Sequence, residues 1–289
     1  MSHVAFSPIR RKKGGAMYSG QDPERVMELL RDRGLEASIE IGIVTGTGLA
    51  TILKEVENAL EVPYDDLPGF PQGFVSGHAR RLVIGNVGRL RVALLQGRSH
   101  YYETGDAQAM RTPIEVLLRL GAHSVVLTSS VGSVKPNMRP GALTIVADHI
   151  NLSGVNPLHN EQGDARFVPM TDAYDETLRH RLKRAAASQG VALHDSIYMF
   201  MPGPSFETPA EIRAATLLGA DVVGMSIVPE TIIARRYGLK VAALCAVTNL
   251  GAGLEGAAPS HNETKRMAAT AAISLRRIFD TFIRTLDEP

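Results

Sequence analysis

Cysteine is nearly absent from this chain: Cys245 stands alone among 289 residues. No disulfide can form within it, and a reducing compartment, with the cytoplasm as the default, is the expected setting. A surplus of charge is missing too. Lys and Arg number 31 against 30 Asp and Glu, so no overall field draws the chain to nucleic acid or to an anionic membrane. Any anion must meet a local site. Long apolar runs are also lacking, since glycine or charge interrupts each one well short of the roughly 18 to 20 residues that cross a bilayer. The basic start Arg10-Arg11-Lys12-Lys13 runs into Gly14-Gly15 with no apolar stretch behind it. Neither a secretory nor a twin-arginine signal is expected, and residues 1–24 read as a flexible basic tail.

What is there is ordinary for a folded soluble protein, 44% hydrophobic and 21% charged. Neither repeats nor a break in composition divide the chain after the tail, so residues 25–289 are expected to form one domain. Helical spacing over Arg25–Arg33 stops at Gly34, and an apolar run at Ile39–Val44 ends in Gly46-Thr47-Gly48, with helical residues from Leu49 onward. Leu82–Ile84 and Leu90–Leu95 read as a hairpin about Asn86-Val87-Gly88. Beyond it strands at Ser124–Thr128, Ala142–Val146, Ile197–Met201, Val222–Met225 and Val241–Val247 alternate with helices. Those helices are expected at Ala107–Leu120, Tyr174–Ser188, Pro209–Leu218, Pro229–Tyr237 and Asn262–Leu286. The pattern predicts an α/β fold in three layers, α/β/α, around a mixed, largely parallel central sheet, with ligands beyond the carboxyl ends of the strands.

The polar motifs fall at those ends. Gly46-Thr47-Gly48 could hold an anion on backbone amides, or be a plain strand-to-helix turn; a dinucleotide fingerprint would want glycine where Thr51 stands. Gly97-Arg98-Ser99-His100-Tyr101-Tyr102-Glu103 gathers a guanidinium and an imidazole suited to phosphate, or forms a solvated loop. Thr128-Ser129-Ser130-Val131-Gly132-Ser133 reads as a strand end whose amides form an anion nest, or a polar turn. Gly77-His78-Ala79-Arg80 is a further polar loop. Gly203-Pro204-Ser205-Phe206-Glu207-Thr208 sets an aromatic beside a carboxylate, as stacking and edge recognition of a base require, or as a helix start would. Gly224-Met225-Ser226 leads into Pro229-Glu230, Thr248-Asn249 ends the last strand, and His261 precedes the final helix.

In this order the motifs closely resemble the trimeric purine nucleoside phosphorylase family, from about Ile39 to the last helix, with Asp148-His149-Ile150-Asn151-Leu152 and Asp172-Ala173-Tyr174 included. The resemblance implies a cofactor-free pentosyltransferase of purine salvage, with inorganic phosphate as co-substrate. Its products are free 6-oxopurine and ribose or deoxyribose 1-phosphate. It implies phosphate binding by Thr47, Arg98, His100, Ser226 and the amide of Ser130, and ribose contacts from Tyr102, Met225 and His261. The purine would meet Tyr198, Phe206, Glu207 and Asn249, with His100, Glu207 and Asn249 catalytic. Phe167 would serve the neighbouring subunit's site, so a homotrimer is implied, and no metal is.

Two segments depart from the family. Ser129-Ser130-Val131-Gly132-Ser133 stands where Asn-Ala-Ala/Ser-Gly-Gly is usual, and Leu158–Arg166 is shorter than in mammalian members. Rival readings are a methylthioadenosine phosphorylase, which typically carries Asp at the position of Asn249 and Ser at that of Glu207, a nucleotide-dependent oxidoreductase, and a non-catalytic nucleoside-binding protein.

Overall fold

The computed structural model describes residues 20–35, 37–46, 49, 52–53, 56–72, 79–159 and 161–286. Residues 1–19 of the expected tail, Thr47-Gly48, Thr51 and Gly77-His78 lie outside them, whereas Asp22, Pro23 and Glu24, also expected in the flexible tail, form the start of the first helix, with Pro23 buried. Among the described residues nine strands make one sheet: β1 (Ile41–Val44), β2 (Glu57–Pro63), β3 (Arg81–Val87), β4 (Leu90–Gln96), β5 (Ser124–Ser133), β6 (Leu143–Ile150), β7 (Leu193–Phe200), β8 (Val222–Gly224) and β9 (Lys240–Leu250). The helices are α1 (Asp22–Asp32), α2 (Tyr101–Thr104), α3 (Arg111–Arg119), α4 (Glu176–Ser188), α5 (Pro209–Leu217), α6 (Val228–Arg236) and α7 (His261–Arg284).

The strand order is β2-β3-β4-β1-β5-β8-β7-β6-β9, and β9 also pairs with β5. Strands β5, β8, β7, β6 and β9 therefore close a ring of backbone pairing, a small barrel at one end of an open sheet. Pairing is mixed, as expected: β1–β4, β1–β5, β5–β9, β6–β7 and β7–β8 are parallel and the rest antiparallel.

Alternation along the strands sorts the core into two layers. Val125, Leu127, Val241, Ala243, Cys245 and Val247 face α1, α3 and α6. Their neighbours Val126, Ala242, Leu244 and Ala246 face α4 and α7, where Leu182, Leu275, Phe279 and Phe282 are fully buried. Because both faces are covered, β9 is buried at every position after Lys240. No helix among the described residues is long and apolar enough to cross a membrane.

Two further expectations need correction. Thr128–Ser133 does not turn after a strand end: β5 runs on through Ser133, paired with β9. The loop-like composition is overridden because the closed ring supplies partners for its backbone, and amides in an extended strand alternate in direction instead of converging as a nest. The hairpin turns at Gly88-Arg89, with Asn86 and Val87 inside β3, since Val87 pairs with Leu90 and Gly88 takes a φ of +62°. The helix expected from Leu49 onward falls largely outside the described residues; of those described there, Leu49, Ile52 and Leu53 are buried.

Candidate active site

An open cleft lies where β1, β4, β5, β7, β8 and β9 end. Arg98, His100, Tyr102, Ser130, Phe206, Glu207, Met225, Ser226, Asn249 and His261 all line it. Thus ten of the expected side chains, drawn from positions 98 to 261, meet in one place. Thr47 lies outside the described residues, although its neighbour Gly46 lines the cleft.

Two expected residues are placed elsewhere. Tyr198 is fully buried and does not line the cleft; its hydroxyl accepts the Ser226 amide hydrogen at 3.0 Å, beneath the wall. Packing takes it there because Gly224 has no side chain: a Cβ on residue 224 would stand 2.4 Å from the phenol oxygen. Phe167 does not line the cleft of its own chain either. It is 71% exposed, with the Arg166 guanidinium 5.0 Å from its ring centre.

The guanidinium of Arg98 is fixed before any ligand arrives. Its Nε donates to Glu230 Oε1 at 2.7 Å and its Nη1 to the Thr128 carbonyl, with both charged side chains almost wholly buried. A dry ion pair is a positioning device more than a source of stability, since desolvation offsets much of its attraction. Glu230 reaches it from the first turn of α6, and in the sequence it had signalled only a helix start.

His100 caps α2. Glu103 Oε1 accepts the His100 amide hydrogen at 2.7 Å and lies 3.0 Å from Nδ1. A carboxylate beside Nδ1 holds the ring in place, and with Nδ1–H given to Glu103 the Nε2 atom donates to an anion only in the imidazolium form. The imidazole also stacks on Tyr102, with ring centres 4.8 Å apart. Burial pushes the Tyr102 phenol up to about 12, so it stays protonated.

Ser226 follows β8 and precedes an unusual turn. Ile227 has φ +39° and ψ −37°, and Val228 N donates to Ser226 O at 2.5 Å across it. Such a γ-turn at a β-branched residue costs on the order of 1–3 kcal/mol and persists only where its surroundings hold it. Ser129 Oγ lies 2.7 Å from Ser226 Oγ.

At the other end of the cleft a bulge aims Asn249. Val131 pairs with Val247 but Gly132 with Asn249, so Thr248 is an extra residue on β9. Asn249 Oδ1 lies 3.0 Å from Thr248 Oγ1 and Nδ2 donates to Leu250 O at 3.0 Å, which orients the amide and leaves Nδ2 a second proton. Gly132 makes room, because a Cβ there would stand 2.9 Å from Nδ2. Burial raises the pKa of Glu207, with Glu211 adding to the shift and a backbone hydrogen bond opposing it. His261 is lowered by partial burial and by Lys265 and His100, which favours its neutral form.

Val223 and Thr264 also line the cleft without having stood out in the sequence, and Ser129, Val131, Gly132 and Thr248 line it from within motifs in which only Ser130 and Asn249 had been given roles. Thr264 could have been found from helical spacing, one turn beyond His261. Among the described residues no three His, Cys, Asp or Glu side chains gather as a metal site.

Fold and cleft together define a class. Residues 40–284 match the family model of the phosphorylase superfamily. Purine nucleoside phosphorylase 1 of Geobacillus stearothermophilus is 35% identical over 91% of this chain and 97% of its own. The mouse purine nucleoside phosphorylase is 35% identical over 86% and 90%. A crystal structure of the Schistosoma mansoni purine nucleoside phosphorylase in complex with inosine is also similar. It superposes with a TM-score of 0.84 at 31% identity, covering 93% of this chain and 98% of that one. The chain belongs to the purine nucleoside phosphorylase family and is a pentosyl-transferring enzyme.

Proposed function

We propose that the chain catalyses the reversible phosphorolysis of 6-oxopurine ribonucleosides and deoxyribonucleosides such as inosine and guanosine, with inorganic phosphate as co-substrate and no cofactor. One observation carries this reading: Arg98, His100 and Ser226 share a single cleft with Glu207 and Asn249. The first three are anion donors, and the last two match the edge of a 6-oxopurine.

Phosphate held by Arg98, His100, Ser226, Thr47 and the Ser130 amide lies against the anomeric carbon. As the bond from that carbon to N9 breaks, its electron pair leaves with the purine, and a phosphate oxygen closes on the positive sugar. The enzyme must therefore stabilise charge of opposite sign at two places. The phosphate itself serves the sugar. Asn249 Nδ2 donates to N7 as that atom gains charge, and ionised Glu207 accepts the N1 hydrogen. Tyr102, Met225 and His261 hold the ribose, with neutral His261 at the 5'-hydroxyl, and Phe206 stacks on the base.

Adenine has no N1 hydrogen and would leave a half-buried carboxylate unpaired, so adenosine is a poor substrate. We further propose a cytoplasmic homotrimer in which Phe167 reaches the neighbouring cleft; its exposure supports this. The ring-closed sheet, with both core layers, supports reading residues 25–289 as one domain. The test is base release in phosphate buffer from inosine, guanosine, adenosine and methylthioadenosine. The account expects the first two to exceed adenosine by at least ~100-fold in kcat/KM. Preference for methylthioadenosine would refute the assignment of Glu207 and Asn249.

A further inference from the structure

Tyr198 is a buried polar group for which the proposed reaction leaves no task. Its hydroxyl accepts the Ser226 amide hydrogen at 3.0 Å and lies 3.4 Å from the Ser226 carbonyl oxygen, to which it can donate. Burial pushes the phenol well above its usual range, so it keeps its proton. The approach depends on Gly224, as the 2.4 Å contact of a Cβ at that position shows. Ser129 Oγ lies 2.7 Å from Ser226 Oγ and 3.1 Å from the Ser130 carbonyl oxygen; with the shorter contact taking the Ser129 proton, Ser226 keeps its own for a ligand. Both grips fall on the residue immediately before Ile227, whose positive φ would relax if nothing opposed it. The two contacts thus reach the amide, the carbonyl and the hydroxyl of the same serine.

We propose that Tyr198 and Ser129 are positioning residues of the phosphate site. They clamp Ser226 against the relaxation of the Ile227 turn, so that its hydroxyl meets a phosphate oxygen without rearrangement. The inference rests on the phosphate-site reading given above, and it moves Tyr198 from purine contact to phosphate placement. Ser129 gains a role in this chain through its own hydroxyl.

The test is calorimetric titration of inorganic phosphate into full-length wild type, Tyr198→Phe, Ser226→Ala and the double variant, with KM for phosphate and for inosine measured beside it. Tyr198→Phe is expected to raise the phosphate Kd about tenfold, roughly one hydrogen bond's worth, while KM for inosine stays within about twofold. In the Ser226→Ala background the same change should add little, because both act through one hydroxyl. A merely structural tyrosine would lower the melting temperature and shift both KM values alike, or add fully to Ser226→Ala, and either result overturns the proposal. Wild type that binds no phosphate would overturn it together with the site reading, whereas phosphate binding unchanged in Tyr198→Phe overturns the clamp alone. Should Tyr198→Phe not fold, Ser129→Ala puts the same question. A selective rise in phosphate Kd supports the clamp, and an unchanged or parallel response refutes it.

Discussion

Glu230 offers the sharpest structural perturbation. Its carboxylate meets Arg98 Nε at 2.7 Å, with side-chain exposures of 4% and 1%. Glu230→Ala leaves the guanidinium charge buried without its counter-ion, a cost of about 3–5 kcal/mol. Glu230→Gln keeps an acceptor and gives up an ionic hydrogen bond for a neutral one, about 1–2 kcal/mol. With an unfolding entropy near 2.1 cal/mol/K per residue, a chain of this length melts roughly 1.6 °C lower per kcal/mol lost. The alanine variant should therefore melt ~5–8 °C below wild type, as calorimetry or circular dichroism would read. Arg33 and Asp66 form the control: their pair is nearly as short, 2.9 Å, but 38% and 44% exposed. Arg33→Ala should cost under about 1 kcal/mol, since water already solvates both charges. The reasoning fails if Glu230→Ala melts within about 2 °C of wild type, or if Arg33→Ala falls as far. KM for phosphate should also rise in both Glu230 variants, because Arg98 loses the contact that aims it.

Other consequences concern the base and the neighbouring subunit. Burial first, then Glu211, raises the pKa of Glu207, and the residue must be ionised to accept N1–H. The acid limb of kcat/KM for inosine should therefore lie above the ordinary carboxylate range of about 4.3, and Glu207→Gln should abolish that limb along with most of the rate. For stability the sign is opposite to that of a salt-bridged acid. A raised carboxylate favours folding most at low pH, and that contribution fades as pH climbs through the folded-state pKa. Asn249→Asp should raise the ratio of adenosine to inosine kcat/KM by offering an acceptor to a 6-amino group; an unmoved ratio would contradict the edge-recognition scheme. Phe167→Ala should raise KM for inosine several-fold while changing the melting temperature little, because the ring is largely exposed; an unchanged KM would count against sharing between subunits.

Much of the fold was legible because its strands are apolar runs and its helices are periodic, as at Val241–Val247 and Asn262–Leu286. β2 was not, because Glu57–Pro63 is an edge strand exposed at most positions, with charged residues and a proline where alternation would show. The ring closure was also hidden, since the antiparallel pairing of β6 with β9 joins segments far apart in sequence. In the site, Arg98, His100, Glu207 and Asn249 were visible as polar residues punctuating apolar strands. Ser129 and Thr248 were visible within motifs but without a role, because it is the pairing of β5 with β9 and the bulge at Thr248 that bring them to the cleft wall. Tyr198 shows the limit in the other direction: alternation puts it on β7 near the cleft, yet only the missing side chain at Gly224 explains why its hydroxyl turns to Ser226.

The central claim is that phosphate is the nucleophile in this cleft. The most direct measurement is the sugar product formed from inosine with and without inorganic phosphate. The account predicts ribose 1-phosphate in equal amount to hypoxanthine, and negligible base release when phosphate is omitted. Free ribose, formed at a rate indifferent to phosphate, would contradict it.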